Sequence, residues 1–298
     1  ALLVFLYATK AGNLNALIDK NGVTDTGGAQ RPIDGILLFA LFMLSFFLGR
    51  RSAPSRHFQT PKEKRRLSRR TRVAVFLILL LIPLTLFVGV FYVGQKQYYL
   101  TAFAVLLECM IPFFLVFEGR HPKPRELVTI AVLCAIGVAG RAAFFMLPQF
   151  KPVLALTIIA GVSFGGESGF LVGAVTMLVS NILFGQGPWT PWQMFSAGIV
   201  GFLAGILFRK GWLRRSRGSL CTFGAIAALV IYGGIMNPVS ALIWGSESLN
   251  AEILMGYYIS GFPMDCVHAA STVLFLGFFA EPMLEKLDRI QVKYGLIE

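Results

Sequence analysis

The stretch FGQGPWTPWQMFSAG, residues 184–198, sets two prolines, two tryptophans and two glutamines between apolar runs. A soluble loop rarely spends so much aromatic surface on a turn, and a helix interior does not tolerate the prolines. The flanks decide the reading. Apolar runs recur at 33–49, 73–94, 98–117, 127–147, 153–164, 168–184, 192–208, 219–243 and 253–280. The chain is 56% hydrophobic and 14% charged, where a soluble domain carries about 25% charge, and its mean hydropathy is +0.70. Segments that are apolar all round describe α-helices in lipid, because a bilayer core allows only internally bonded backbone. The fold class is an all-α integral membrane protein, and the quoted stretch is a stiff turn between two of its helices.

The net charge of +12 does not point to nucleic acid, because the charges are clumped. Residues 50–72, RRSAPSRHFQTPKEKRRLSRRTR, carry ten Lys/Arg against one Glu between two apolar runs. Such a block sets orientation and meets anionic head groups, so membrane lipids are expected partners. With 50–72 placed in the cytoplasm, counting spans brings EGRHPKPRE (118–126) and RKGWLRRSRG (209–218) to the same side. That agreement supports a multi-pass cell-membrane protein with a cytoplasmic C-terminus. PQFKP, the tryptophan turn and WGSESLN then share the outer face. The four cysteines fall mostly within apolar runs and read as small hydrophobes.

The chain divides at HPKPRE. Residues 1–120 hold about three spans almost without polar side chains, and residues 121–298 hold six segments with Gly, Asn, Gln, Trp and buried charge. Function is expected in the second part. On the outer face, Gln186, Trp189, Trp192 and Gln193 come from one turn, with Asn181 just below them. Trp244 and Asn250 come from the next outer loop, Asn237 from the run before it, and Tyr257 and Tyr258 from the run after it. Aromatic walls with a few amides hold polar organic ligands, although an interfacial aromatic belt has the same composition. Pro188 and Pro191 stiffen the turn and start the next helix. Asp265, midway along 253–280 behind Pro263, needs a partner, a ligand or water. Arg141 lies close enough to the outer face to snorkel, or to meet an anion. Glu108 sits mid-span in the N-terminal part and calls for a neighbouring helix. Glu167 falls at the inner turn, where a carboxylate needs no special account.

Two small-residue stripes at four-residue spacing, Ala131/Ala135/Ala139 and Ala197/Gly201/Gly205, permit close helix approach. Asp265, Cys266 and His268 point different ways from one helix, so no metal site is expected. No H-E-x-x-H or Walker sequence is present, so no enzyme activity is expected, and no cofactor is implied.

Residues 125–207, above all FGGESGFLVGA and GQGPWTPWQM, resemble the substrate-binding S component of an energy-coupling factor (ECF) transporter, most of all members linked to cobalamin. The resemblance covers roughly 121–285. It implies a six-helix core with an outward pocket capped by loops. It also implies a vitamin substrate, and as partners a transmembrane coupling subunit, docked on Ala131, Ala135 and Ala139, and two ATPase subunits. The membrane module before residue 121 departs from that family. The residues alone leave two other readings open: an ion-coupled secondary transporter of a small polar solute, or a membrane-embedded enzyme or scaffold.

Overall fold

The computed structural model describes residues 73, 76–93, 100–108, 124–244 and 251–293, and every regular element among them is helical. The expected span 33–49 and the basic block 50–72 lie outside the described residues. We number the helices in chain order. α1 is Ile82–Val88, continued by π-helical turns Leu77–Leu81 and Gly89–Val93. α2 covers residues 100–108. The main bundle comprises α3, Pro124–Ala143, α4, Val153–Phe164, α5, Gly166–Phe184, and α6, Thr190–Arg209. It is completed by α7, Arg217–Trp244, with a π-helical stretch at Ala227–Tyr232, and α8, Ala251–Lys293. All of these except α1, α2 and α4 are long and apolar enough to cross a bilayer.

Registers follow from the contacts. α3 and α5 run parallel: Cys134 meets the Val172 carbonyl, Gly137 faces Thr176, and Arg141 reaches Ser180. α4 returns between them. Gly165, at φ 102°, then reverses the chain in a single residue, a conformation that suits glycine. α5 and α6 run antiparallel on glycine. A Cβ on Gly173 would lie 2.7 Å from the Ala197 backbone, and one on Gly205 2.3 Å from the Gly166 nitrogen. α4 joins the same seam, where a Cβ on Gly161 would lie 2.1 Å from the Gly201 carbonyl. The Ala197/Gly201/Gly205 stripe therefore serves internal packing. In lipid, where apolar helices gain nothing by hiding from water, such backbone approach is what holds them together.

α7 and α8 form an antiparallel hairpin, from Arg217–Glu281 at one end to Tyr258 bonding the Gly234 carbonyl towards the other. α8 runs unbroken past Pro263 and Pro282 for 43 residues. That is about 65 Å of helix against about 30 Å of hydrocarbon. Its polar last turns are used: Asp288 pairs with Arg215 at 2.7 Å, and Gln291 bonds the Ser163 carbonyl.

α4 has 12 residues, about 18 Å, and is buried along nearly its whole length. An enclosed helix need not span. Its short length also recesses its start: Ser271, twenty residues into α8, bonds the Gln149 and Lys151 carbonyls just before α4. α7 and α8 rise past this floor as a wall.

In the N-terminal part, α1 and α2 pack where Gly89 faces Thr101. Glu108 accepts a bond from Thr85 at 2.5 Å, so the mid-span carboxyl meets the neighbouring helix.

Candidate functional site

The polar residues of the bundle gather at the end where α3, α5 and α7 finish and α4, α6 and α8 begin. Asn181 is their hub and is fully buried. Its Oδ1 accepts from Arg141 Nη1 at 2.6 Å, while its Nδ2 donates to Thr190 Oγ1 at 3.0 Å and Gln193 Oε1 at 2.8 Å. Arg141 therefore turns into the bundle, where Nη1 also donates to Ser180 Oγ at 2.6 Å and lies 3.6 Å from Met177 Sδ. One amide thus ties α3, α5 and α6 together. Within the bundle both the oxygen and the nitrogen of the Asn181 amide are engaged.

The tryptophan turn is rigid for reasons its sequence announces. Pro191 sits in the first turn of α6, where a missing N–H costs nothing. Thr190 Oγ1 accepts from Gly187 N at 3.3 Å. Gly187 has no side chain because the Trp189 ring lies over it: a Cβ there would be 2.4 Å from the indole. Trp244, at the tip of α7, stacks on Trp189 with centroids 6.2 Å apart and planes 24° apart. Two tryptophans from separate segments thus form one aromatic wall. Gln186 donates to the Leu178 carbonyl at 3.3 Å, and its buried Oε1 has no partner.

The facing wall is α7 and α8. Asn237 Nδ2 donates to Asp265 Oδ2 at 2.7 Å, and both helices give way there with glycine. A Cβ on Gly261 would strike Asn237 and one on Gly233 would strike Asp265. The Asp265 carboxylate thus has its partner across the hairpin. Three residues on, His268 meets Tyr232 edge to face at 4.7 Å. Tyr232 lies close enough to sense the charges of both Arg141 and Asp265, and His268 those of Lys151 and Arg141. Tyr258 is spent on the hairpin, Tyr257 is half-buried beside it, and Asn250 lies outside the described residues.

The floor is the loop before α4. Lys151 Nζ donates to the carbonyls of Phe144, Phe145 and Leu147, closing the end of α3. Burial, with the Arg141 charge behind it, pushes this ammonium down to about 8. Phe144, Phe150 and Phe275 clamp the loop from below. The sequence does not mark Lys151, Ser180, Thr190 and Tyr232 as ligand groups. Their signal was only that polar residues sit inside apolar runs.

At the opposite end, Glu167 is buried and pairs with Arg209 at 3.7 Å. Cys266 is exposed while His268 is buried, so the two do not converge. On α3, Ala131 and Ala135 are exposed and Ala139 is half-buried, beside exposed Val128, Val132 and Ile136. The stripe faces away from the bundle.

Comparison with known proteins places this arrangement. The ECF-type riboflavin transporter, S component, family matches residues 122–281. The chain is also similar to the UPF0397 protein VS_II0189 of Vibrio atlanticus (strain LGP32), 29% identical over 119 residues, which are 38% of this chain and 65% of that protein. It thus spans less than two thirds of that relative's length. No solved structure matches.

Proposed function

The chain belongs to the ECF-type riboflavin transporter S component family, and from that premise we propose that it is the substrate-specific subunit of an ATP-driven vitamin importer rather than an enzyme. The observation that carries this reading is the extent of the family match, which coincides with the six-helix bundle from α3 into α8. Residues 1–120 are then an added membrane module, and the match beginning at residue 122 supports that division. The substrate enters at the end framed by Trp189, Trp244, Arg141, Gln193 and Asp265, with Asn181, Gln186, Asn237 and Tyr257 shaping it. On this reading that end faces outward and the C-terminus lies in the cytoplasm. The family's name points to riboflavin as the first ligand to try, and the sequence resemblance points to cobalamin or a related corrinoid as the second. Both offer extended ring systems to the indole pair.

ATP-driven import requires partners, a transmembrane coupling subunit and two ATPase subunits. Exposure of Ala131 and Ala135 on α3 supports that helix as the docking face, since small residues let a partner helix approach closely. Tagged chain purified from its native membrane should bring ATPase subunits with it, and titration of the purified chain with riboflavin and cobalamin should quench its tryptophan fluorescence. Recovery of the chain alone, with neither vitamin bound, would overturn the reading.

A further inference from the structure

Arg141 carries a charge that the fold does not neutralise. Four ion pairs occur among the described residues, Arg209–Glu167, Arg215–Asp288, Arg217–Glu281 and Arg289–Glu285, and all involve the opposite end of the bundle or the last turns of α8. Arg141 is in none of them. The bundle holds it by Nη1 alone, on the neutral oxygens of Ser180 and Asn181 and the sulfur of Met177. Its Nε and Nη2 donate to nothing among the described residues. That remaining edge, two parallel N–H groups in one plane, is the one a carboxylate or phosphate engages in bidentate fashion. Lys151, the second cation of this end, is near enough for the Arg141 charge to act on it, and it too meets only carbonyls. The carboxylate of this region, Asp265, is held by Asn237 and lies beyond ion-pair distance of Arg141.

We infer that the free edge of Arg141 is an anion subsite, and that the ligand is a ring-bearing compound with a carboxylate or phosphate group. Resting on the substrate-binding reading of this end, the inference narrows the ligand to anionic members of the vitamin class. A charge of this kind in a membrane helix ordinarily faces the bundle interior and has a partner. Here the fixed half of the guanidinium aims the open half, because Nη1 is pinned on Ser180 and Asn181 of α5. The same chemistry would suit a lipid phosphodiester. The inward direction of the side chain, onto fully buried Ser180 and Asn181, favours a soluble ligand.

The test uses the purified full chain in nanodiscs of phosphatidylcholine, with the melting temperature as readout. Benzoate, its uncharged partner benzamide, and inorganic phosphate serve as probes. Benzoate or phosphate should stabilise the protein and benzamide should not. Arg141→Gln should weaken the anion response roughly tenfold or more, as one lost charge-assisted contact implies. Arg141→Lys should keep part of it, because the charge remains without the fork. Equal response to benzoate and benzamide, no response to any anion, or an anion response that survives Arg141→Gln would each overturn the inference. The comparison of benzoate with benzamide needs no variant, so misfolding of Arg141→Gln does not leave the matter open. Stabilisation by nanodiscs containing phosphatidylglycerol, with no response to the soluble anions, would assign the edge to lipid and overturn the soluble-ligand inference. Co-purification with ATPase subunits is independent of these results, so failure of the subsite and failure of the importer reading are distinguishable.

Discussion

Replacing Asn181 by aspartate separates the two halves of the Arg141 guanidinium. The native amide accepts from Arg141 at 2.6 Å and donates to Thr190 and Gln193. Asn181→Asp keeps the acceptor and makes it a carboxylate, placing an internal counterion on Nη1. At an effective dielectric constant of about 20, unit charges about 4 Å apart attract by about 4 kcal/mol, enough to outcompete an external anion for the same charge. The two lost Nδ2 bonds cost about 1 kcal/mol each, and both are recoverable: the Gln193 amide can turn its NH2 towards the new oxygen, and the Thr190 hydroxyl can rotate. Stability should therefore change little while the response to benzoate disappears. Asn181→Leu, similar in size, does the opposite. It takes a partner from buried Thr190, which keeps Gly187 N, and from half-buried Gln193, and it removes one of two oxygen acceptors of a charged donor. At roughly 1–3 kcal/mol for a charged donor losing an acceptor, the loss should be about 2 kcal/mol or more, visible as a drop in melting temperature. An undiminished benzoate response in Asn181→Asp would refute the seat of the charge. A stable Asn181→Leu would refute the hub.

Gly161→Ala should destabilise the bundle by about 1–3 kcal/mol or prevent its assembly, because the new methyl would meet the Gly201 carbonyl at 2.1 Å and neither backbone has room to move; an unchanged thermal melt would deny the glycine seam its role. Trp189→Ala should cost a bound vitamin about 2 kcal/mol, roughly thirtyfold in Kd, whereas Trp192→Ala should cost little; equal losses in a fluorescence titration would reduce the wall to an interfacial anchor. Ala135→Leu, at an exposed position, should leave the melting temperature within a few degrees and abolish pull-down of the coupling subunit, a loss that normal recovery of the complex would contradict. Because the Lys151 ammonium is held down at about 8 from an ordinary 10.5, the unfolded chain binds more protons between those values. Stability should therefore rise with pH from about 8 to 10.5 and be flat below 8; Lys151→Met should lose the rise, and an identical pH profile in that variant would refute the assignment.

The bundle was legible because lipid imposes one rule on every segment: long apolar runs flanked by charge have to be helices. The six runs after residue 121 correspond to α3 through α8, and the Ala197/Gly201/Gly205 stripe packs inside the bundle. Ends were less legible. The run at 127–147 stops as a helix at Ala143, and Lys151, from outside the run, bonds the carbonyls of the turn that follows. The run at 253–280 continues to Lys293 because Asp288 and Gln291 find partners on other segments. Hydropathy cannot register either set of bonds. In the site, the turn GQGPWTPWQM announced its own stiffness, and Asn181, Arg141 and Asp265 were found as polar residues in apolar surroundings. The pairings of Arg141 with Asn181 and of Asp265 with Asn237 were not readable, since they join positions 40 and 28 apart in the chain. Trp244 illustrates the limit: its sequence places it on a loop, whereas it ends α7 and stacks on Trp189.

A cation at the end of α3 has a structural reason to exist before any ligand is considered. Arg141 lies in the last turn of α3, where the exposed carbonyls of a helix favour positive charge, and Lys151 reinforces the same end. That accounts for the charge but not for its orientation. A side chain placed only to complement its own helix would lie along the last carbonyls of that helix. Arg141 instead crosses to α5, and it is fixed there by a buried asparagine that three helices share. Holding a guanidinium by one nitrogen, with neutral acceptors, preserves its full charge and leaves its fork uncommitted. A carboxylate at position 181 would have held it as firmly and silenced it. The use of an amide where an acid would fit is therefore the feature that ties the architecture of this end to recognition of an anion.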